Sequence, residues 1–225
     1  MPDTPKPDVA DIAEHITAAI MEHRLPPGGK LAEEKLATAF GVSRTKIRQA
    51  LTTLSKDGLV RLHPNRGAFV TRPSVQEARD LFATRRLLEP EIIRSVIARA
   101  SADDLRRLHE HLAAEDAMRS HGERRALIKL TGEFHMLLAE LAGNAFISKL
   151  MNELCPFTCL IIALYDSPKT ATCPDHEHAE IVRAIEEKRT DDAIRIMLAH
   201  LDHIERELQL AQKAKQSIPW TEMLS

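Results

Sequence analysis

The segment FGVSRTKIRQAL, residues 40–51, places a tight turn immediately before a helix. Ser43 is a good N-cap, because its hydroxyl can accept a hydrogen bond from a free backbone N–H of the first helical turn. The helix is predicted to run to about Asp57 and to end at Gly58, a residue type that favours the position after a C-cap. Its apolar stripe consists of Ile47, Ala50, Leu51 and Leu54.

The polar face of this helix is basic at its N-terminal end. Arg44 and Arg48 lie four residues apart and therefore leave the same side of the helix. An arginine fork matches the O6 and N7 acceptors of guanine in a DNA major groove. Thr45, Lys46 and Gln49 extend the face. These residues alone leave two interpretations open, a helix that reads base edges and a solvated basic helix.

The flanking residues favour the DNA-reading interpretation. Upstream, residues 31–40 predict a short helix that ends at Gly41, which completes a helix-turn-helix unit. Downstream, residues 59–63 and 68–71 are short β-type runs joined by the turn residues 64–67. This pattern predicts a β-hairpin wing with Arg66 at its tip.

Charge is concentrated in the same region. Residues 42–72 contain seven basic residues and one acidic residue, a net charge of +6 in a chain whose total is −2. A basic patch on an otherwise acidic protein is typical of a module that binds phosphate groups of nucleic acid.

The spaced residues of this region resemble the winged-helix domain of the GntR transcription-factor family. The matching positions are Leu25-Pro26-Pro27-Gly28, Leu31, Glu33, Leu36-Ala37, Gly41 to Thr45, Arg48, Ala50-Leu51, Leu54, Gly58-Leu59 and Arg66-Gly67-Ala68. The resemblance implies binding to a double-stranded DNA operator. The predicted DNA-binding residues are Ser43, Arg44, Thr45, Lys46, Arg48, Arg66 and Gly67. Glu34 stands where some relatives have a DNA-contacting arginine, so that contact does not carry over.

Composition and length fit two small domains with a real core in a reducing compartment. The chain has 225 residues, enough for two small domains, and 44% of them are hydrophobic. Cys155, Cys159 and Cys173 form no paired framework, which favours packing roles in a reducing cytoplasm. Residues 1–7 are not a signal peptide and no apolar run is expected to reach membrane-spanning length, so a cytoplasmic protein without membrane contact is predicted.

Three segments are expected along the chain. Residues 1–8 are predicted to be disordered, 9–72 to form the winged helix-turn-helix, and 73–225 to form an all-α effector-binding and dimerisation domain of about six helices. A first helix should run from Val9 to near His23. The bundle helices are predicted at 74–100, 101–120, 123–142, 145–165, 175–188 and 191–216, with a loop at 166–174. Pro90 is able to kink the first of them, and the fourth is expected to be interrupted near Pro156. Thr190 is the predicted N-cap of the last.

Polar residues lie within the apolar stripes of these helices. Arg85 shares a face with Leu81, Leu88 and Ile92, and a buried arginine needs an anion because an unpaired charge in a core is costly. That anion is either an internal carboxylate or a bound ligand. His135, His178 and His200 lie on or beside the stripes of three other helices. One such histidine is typical of a satisfied core residue, whereas three together indicate convergence on a metal ion.

The bundle sequence resembles the FCD effector domain of the FadR subfamily over residues 75 to about 215. The matching segments are 134–135, 139–144, 177–185 and 197–201. The resemblance implies that His135, His178 and His200 hold a divalent metal ion with an aspartate one turn before the first histidine. Thr131 occupies that position here, so either the site keeps three histidines with water and effector, or the metal is weak or absent.

The expected ligands follow from this donor set. Three imidazoles suit a transition metal such as zinc or nickel. Because Thr131 adds no charge, the occupied site is expected to be net positive and to favour an anion. The predicted effector is therefore a small carboxylate, bound by Arg85 and Thr131 beside the metal.

Three functions remain from the sequence. The preferred one is a homodimeric repressor that binds a palindromic operator under effector control. The second is a metal-dependent hydrolase using the three-histidine site, although the chain has no HExxH segment and no nucleophile elbow. The third is an architectural DNA-binding protein without an effector.

Overall fold

The structure, a computed structural model, describes residues 6–165, 176–208 and 210. Within these residues, nine α-helices and one three-stranded sheet are found. The N-terminal part contains α1 (Val9–Met21), β1 (Lys30–Leu31), α2 (Glu33–Phe40), α3 (Arg44–Lys56), β2 (Val60–His63) and β3 (Gly67–Val70). The C-terminal part contains α4 (Val75–Arg99), α5 (Ala102–Ser120), α6 (Arg124–Leu141), α7 (Ala145–Tyr165), α8 (Glu177–Glu186) and α9 (Thr190–Glu207). The predicted fold class, a winged helix followed by a bundle of about six helices, is confirmed.

The local signals around α3 form as expected. The Ser43 hydroxyl accepts a hydrogen bond from the Lys46 backbone N–H at 3.3 Å. Gly41 and Gly58 both take the left-handed conformation, with φ of 64° and 78°, where a side chain would be strained. The capped helix is therefore fixed at both ends, and its apolar stripe packs into a core shared with α1.

The wing is a three-stranded antiparallel sheet of order β1-β3-β2. Its outer strand corrects the sequence prediction, because Leu31 was expected in a helix and instead pairs with Ala68 across β1 and β3. Strand β3 of the hairpin pairs with this short strand on the side opposite β2, and Leu31 is buried there. Helix α2 therefore begins two residues later than predicted, at Glu33.

The first ordered residues also correct a prediction. Asp8 belongs to the segment predicted to be disordered, yet its carboxylate forms a capping box with Asp11 at the start of α1. The Pro7 carbonyl accepts a hydrogen bond from Lys46 Nζ at 3.0 Å. Residues 1–5, the predicted loop 166–174, Asp175, Cys173 and the predicted helical end beyond residue 210 lie outside the described residues.

Five of the six bundle helices follow the predicted boundaries within a few residues. The sixth, α9, corrects its prediction, because it ends at Glu207 with an extended C-cap at Leu208, whereas residue 216 was predicted. Ser74 and Ser101 form capping boxes with Glu77 and Asp104, respectively. One cap is wrong, because Thr190 lies in the first turn of α9 and the N-cap is Arg189, which makes no side-chain cap bond.

Helix α7 corrects two further expectations. It continues through the buried Pro156 instead of being interrupted there, although a proline supplies no backbone N–H to the helical hydrogen bonds. Among the described residues it is also the one helix long and apolar enough to cross a membrane, with mean hydropathy 1.5, although such a helix is also typical of a protein core. Here it packs against α6, α4 and α1. Cys155 and Cys159 are buried free thiols within it.

Candidate functional site

The basic face of α3 is exposed and internally paired. The Arg48 fork donates to both carboxylate oxygens of Glu33, from Nε at 3.1 Å and from Nη2 at 2.8 Å. Arg44 Nη2 lies 3.6 Å from the same carboxylate. Both arginines remain more than half exposed, at 62% for Arg44 and 64% for Arg48. The arginine pair lowers the pKa of Glu33 through hydrogen bonding from Arg48. Glu33 was not predicted to have this role.

The other predicted DNA-binding residues lie in the first turn of α3 and at the hairpin tip, and most of them are exposed. Thr45 is exposed beside Arg44 in the first turn of α3, and Ser43 caps that turn. Arg66 and Gly67 are exposed at the hairpin tip, where Gly67 has φ of 94°. The face is therefore available to a partner, apart from Lys46, which is partly held by the Pro7 carbonyl.

The three predicted histidines meet inside the bundle. His135 comes from α6, His178 from α8 and His200 from α9, and each side chain is at least 97% buried. His200 Nε2 lies 3.3 Å from His135 Nε2 and 3.3 Å from His178 Nε2. Helical periodicity placed each ring on an inward face, and packing of the three helices brings the rings together.

Three carboxylates surround this cluster, one for each histidine. His135 Nδ1 lies 2.7 Å from Glu89 of α4, and His200 Nδ1 lies 2.6 Å from Glu177 of α8. His178 Nδ1 lies 2.9 Å from Glu115 of α5. None of the three acids was predicted as a site residue. The available signal was that Glu89 lies four residues after Arg85, on a face otherwise occupied by apolar side chains.

Electrostatics fix the protonation of this arrangement. Although burial opposes ionisation, the Arg85 guanidinium and His135 lower the pKa of Glu89 to about 2. Hydrogen bonds with His111 and His178 likewise lower the pKa of Glu115 to about 2. Burial lowers the pKa of His135 to about 3 and that of His200 to about 4. At neutral pH these carboxylates are charged and these two rings are neutral.

The geometry fits a metal ion. A neutral ring that donates Nδ1–H to a carboxylate presents a bare lone pair at Nε2. Lone pairs that face each other at 3.3 Å cannot hydrogen-bond to one another, and a cation would satisfy them. Tetrahedral zinc with Zn–N bonds of about 2.0–2.1 Å requires nitrogen separations of about 3.3–3.4 Å. Among the described residues, this is the group whose ligand atoms lie close enough together for a metal.

The charge around the cluster differs from the sequence expectation. A divalent ion with the Arg85 guanidinium would contribute +3, and the carboxylates of Glu89, Glu115 and Glu177 contribute −3. The occupied site would therefore be close to neutral rather than net positive. The earlier expectation failed because it counted only the ligands and Thr131, whereas the balancing acids come from helices α4, α5 and α8.

Arg85 has the internal partner that one of the two interpretations required. Its Nε donates to Glu89 Oε1 at 2.6 Å and its Nη1 donates to Thr158 Oγ1 at 3.2 Å, with both ion-pair side chains 1% exposed. Its Nη2 is buried and has no hydrogen-bond partner among the described residues. A buried N–H without a partner is costly, so this atom marks a place for an acceptor.

A narrow cavity lies beside this arginine. Its volume is about 10 Å³, room for about one water molecule. Its wall combines the apolar side chains of Ile128, Ile162 and Ile204 with Arg85, Thr131, Gly132, His135, Thr158, Cys159 and His200. The Thr131 hydroxyl at the cavity wall donates to the Ile128 carbonyl at 2.9 Å, so it can donate to a bound carboxylate only by leaving this bond. The two residues predicted to contact an effector thus line the same cavity as two of the histidines.

Comparisons with known proteins agree with the two-part fold. The FCD domain family matches residues 80–203, and the family described as bacterial regulatory proteins, gntR family, matches residues 9–70. The HTH-type transcriptional regulator YdhC of Bacillus subtilis is 29% identical over 89% of this chain and 91% of its own length.

Two further similar proteins also align with most of this chain. The HTH-type transcriptional repressor RspR of Escherichia coli is 23% identical over 80% of this chain and 79% of its own length. A crystal structure of a GntR transcriptional regulator from Rhodococcus sp. RHA1 has a TM-score of 0.77 with 26% identity, and covers 88% of this chain and 96% of that one. Similarity extends through both parts of the chain in each case.

Proposed function

Because the chain belongs to the GntR family of bacterial regulatory proteins and carries an FCD domain, we propose that it represses transcription by binding a palindromic operator as a homodimer. Residues 9–72 form the proposed DNA-binding domain, and residues 73–225 form the proposed effector-binding and dimerisation domain. The observation that carries DNA binding is the exposed pair Arg44 and Arg48 at the N-terminal end of α3. A relative described as a repressor supports the direction of regulation.

Like its family and relatives, the chain is a transcriptional regulator and not an enzyme. The hydrolase alternative is therefore set aside. Family regulators act on DNA, which supports a cytoplasmic location and argues against a membrane partner. Polar groups concentrated inside the bundle favour an effector-responsive regulator over a purely architectural DNA-binding protein.

The spacing of the two half-sites tests the dimer. Two winged helices held by one dimer should contact half-sites about one helical turn apart, or slightly more. Inserting five base pairs between the half-sites rotates one of them by about half a turn, since one turn is about 10–10.5 base pairs. In a gel-shift titration we expect the five-base-pair insertion to abolish tight binding. A ten-base-pair insertion should restore part of it, to an affinity below that for the natural spacing. Equal affinity for all three operators would indicate independent monomers.

We further propose that the bundle binds a divalent transition metal through His135, His178 and His200, and a small carboxylate through Arg85 and Thr131. The supporting observations are the converging Nε2 atoms and the Arg85 Nη2 at the cavity, which has no hydrogen-bond partner within residues 6–165, 176–208 and 210. When bound, the metal would supply a Lewis-acid site for one carboxylate oxygen. Arg85 would hold the other oxygen as a charge-assisted donor. The cavity would have to widen to admit the acid, because it has room for about one water molecule.

Metal analysis tests this part of the proposal. The parent protein is expected to bind one zinc ion per chain in calorimetry, and His178→Ala to lose most of that affinity. The control His109→Ala removes an exposed histidine that pairs with Glu186 on the surface, and it should bind zinc like the parent. A parent without stoichiometric metal after supplementation, or a His178→Ala variant with unchanged affinity, would contradict the metal site.

A substitution at position 131 should affect metal binding and carboxylate binding in opposite directions. Thr131→Asp places a carboxylate where metal-binding relatives have one, so we expect tighter zinc binding. The same change adds a negative charge to a site that is otherwise close to neutral, and weaker binding of a panel of two- to six-carbon carboxylates should follow. Thr131→Ser keeps the hydroxyl and is the control. Tighter acid binding by Thr131→Asp would contradict the assignment of this residue to the effector cavity.

A further inference from the structure

We propose that Glu89, Glu115 and Glu177 are positioning residues that hold the three histidines in the tautomer and ring orientation required for Nε2 ligation. The inference rests on the proposed metal-binding function and extends it to the residues outside the ligand set. Each acid accepts from the Nδ1 of a different histidine, at distances of 2.6–2.9 Å. The three contacts therefore point all three Nε2 atoms to one centre.

The tautomer is the property that these acids control. A neutral imidazole carries one proton, on Nδ1 or on Nε2, and the hydrogen bond of one nitrogen decides which nitrogen is free to ligate. An ionised carboxylate has no proton to give, so each histidine must donate from Nδ1. Carboxylates in this position also raise ligand basicity, and their loss typically costs about 10–100-fold in metal affinity.

Glu115 is the most informative of the three. Helix α5 supplies none of the three proposed metal ligands, yet it places this acid at 2% exposure in contact with His178. The other neighbour of the carboxylate is His111, at 3.4 Å on the same helix. A buried acid is costly unless its charge is used, and here both of its oxygens lie 2.9 Å from His178 Nδ1. The acid thus fixes the ring contributed by the short helix α8.

The test compares three variants in metal-free protein and in zinc titrations. In ¹⁵N spectra of the metal-free parent at neutral pH, we expect His178 to carry its proton on Nδ1. Glu115→Ala should release that preference and weaken zinc binding about 10–100-fold. Glu115→Gln keeps an oxygen acceptor and should retain the tautomer and most of the affinity. Glu110→Ala, an exposed acid on the same helix that pairs with Arg106, is the matched control and should behave as the parent.

Defined results would overturn the proposal. One is an unchanged His178 tautomer and zinc affinity in Glu115→Ala, and another is a Glu115→Gln variant as impaired as Glu115→Ala. If Glu115→Ala does not fold, Glu177→Ala gives the same comparison at His200, because Glu177 is 23% exposed at the rim. A parent that binds no zinc contradicts the proposed metal function. The tautomer spectra need no metal and still decide whether these acids hold the rings.

Discussion

Arg48 pairs with Glu33 inside the protein, and it is also a proposed DNA contact. In the free protein its planar fork donates to both oxygens of the Glu33 carboxylate, while the side chain remains 64% exposed. The same fork geometry suits the O6 and N7 atoms of guanine. The two bonds to Glu33 limit the conformational freedom of Arg48 in the free protein, and they must break before the same fork can bind a guanine.

Replacement of Arg48 tests this contact. Arg48→Ala should weaken operator binding by about 1–3 kcal/mol and relax specificity at one base position. Lys56→Ala, in the last turn of the same helix and away from its N-terminal end, is the control and should change binding less and without base preference. Gel shifts on operators altered one base pair at a time measure both effects. Parental affinity and specificity in Arg48→Ala would refute the assignment of α3 as the reading helix.

The buried histidines make stability depend on pH. His135 and His200 have pKa values lowered from 6.5 to about 3 and about 4, so below pH 6.5 the unfolded chain binds protons that the folded chain does not. Stability must therefore fall as pH falls through this range. The lowered pKa values of Glu89 and Glu115 act in the same direction at lower pH, between about 4.5 and 2.

The size of the effect can be measured by urea denaturation of metal-free protein. At about pH 5.5, one unit below the unfolded histidine value, each of the two histidines should remove about 1.4 kcal/mol of unfolding free energy relative to neutral pH. His200→Gln should lose about half of this dependence, because one of the two titrating rings is gone. A parent protein equally stable at both pH values would show that the buried rings accept protons in the folded state.

At the scale of elements, α3 depends on its N-cap. Ser43→Ala removes the hydroxyl that accepts from Lys46 N–H, and it should lower the free energy of unfolding by about 1 kcal/mol. Thr52→Ala is the matched control on the same helix, since its exposed hydroxyl only bonds back to the Arg48 carbonyl. Thermal and urea unfolding should separate the two variants. Equal stability of both would mean that tertiary packing alone holds the start of α3.

At the scale of the whole molecule, the cavity proposed to bind the effector lies one side chain away from the proposed DNA-binding domain. A Cβ placed on Gly132 of the cavity wall would lie 3.1 Å from Met21 of α1 and 3.1 Å from Cys159 of α7. The imidazole of His23, just after α1, is bonded through Nε2 to the Cys159 carbonyl at 2.9 Å. A change in the packing of the cavity floor therefore has a direct physical route to α1, which packs on α3.

Removal of the His23 contact tests this route. We expect zinc to change operator affinity in the parent, and His23→Ala to bring the ratio of affinities with and without zinc closer to one while leaving zinc affinity intact. His15→Ala is the control, because His15 lies on α1 but bonds to its own helix through Asp11. Fluorescence anisotropy with labelled operator gives all the required constants. A parental ratio in His23→Ala would show that coupling takes another path.

The sequence by itself determined the elements and their faces. Ser43, Gly41 and Gly58 act through hydrogen bonds and backbone angles within a few residues, so their effect on α3 is visible in the order of residues. The helical period likewise placed His135, His178 and His200 on inward faces. The family resemblance then added the fold and the proposed metal set, including the departure at Thr131.

Only the tertiary structure decided which faces meet. The bonds of Glu89 to His135 and of Glu115 to His178 join residues 46 and 63 positions apart. A helix period states which residues share a face but not which other helix lies opposite, so these partners were invisible in the sequence. The same reason explains why Leu31 formed a strand beside β3 and why the charge of the histidine site was misjudged. Both depend on groups brought close by packing rather than by chain order.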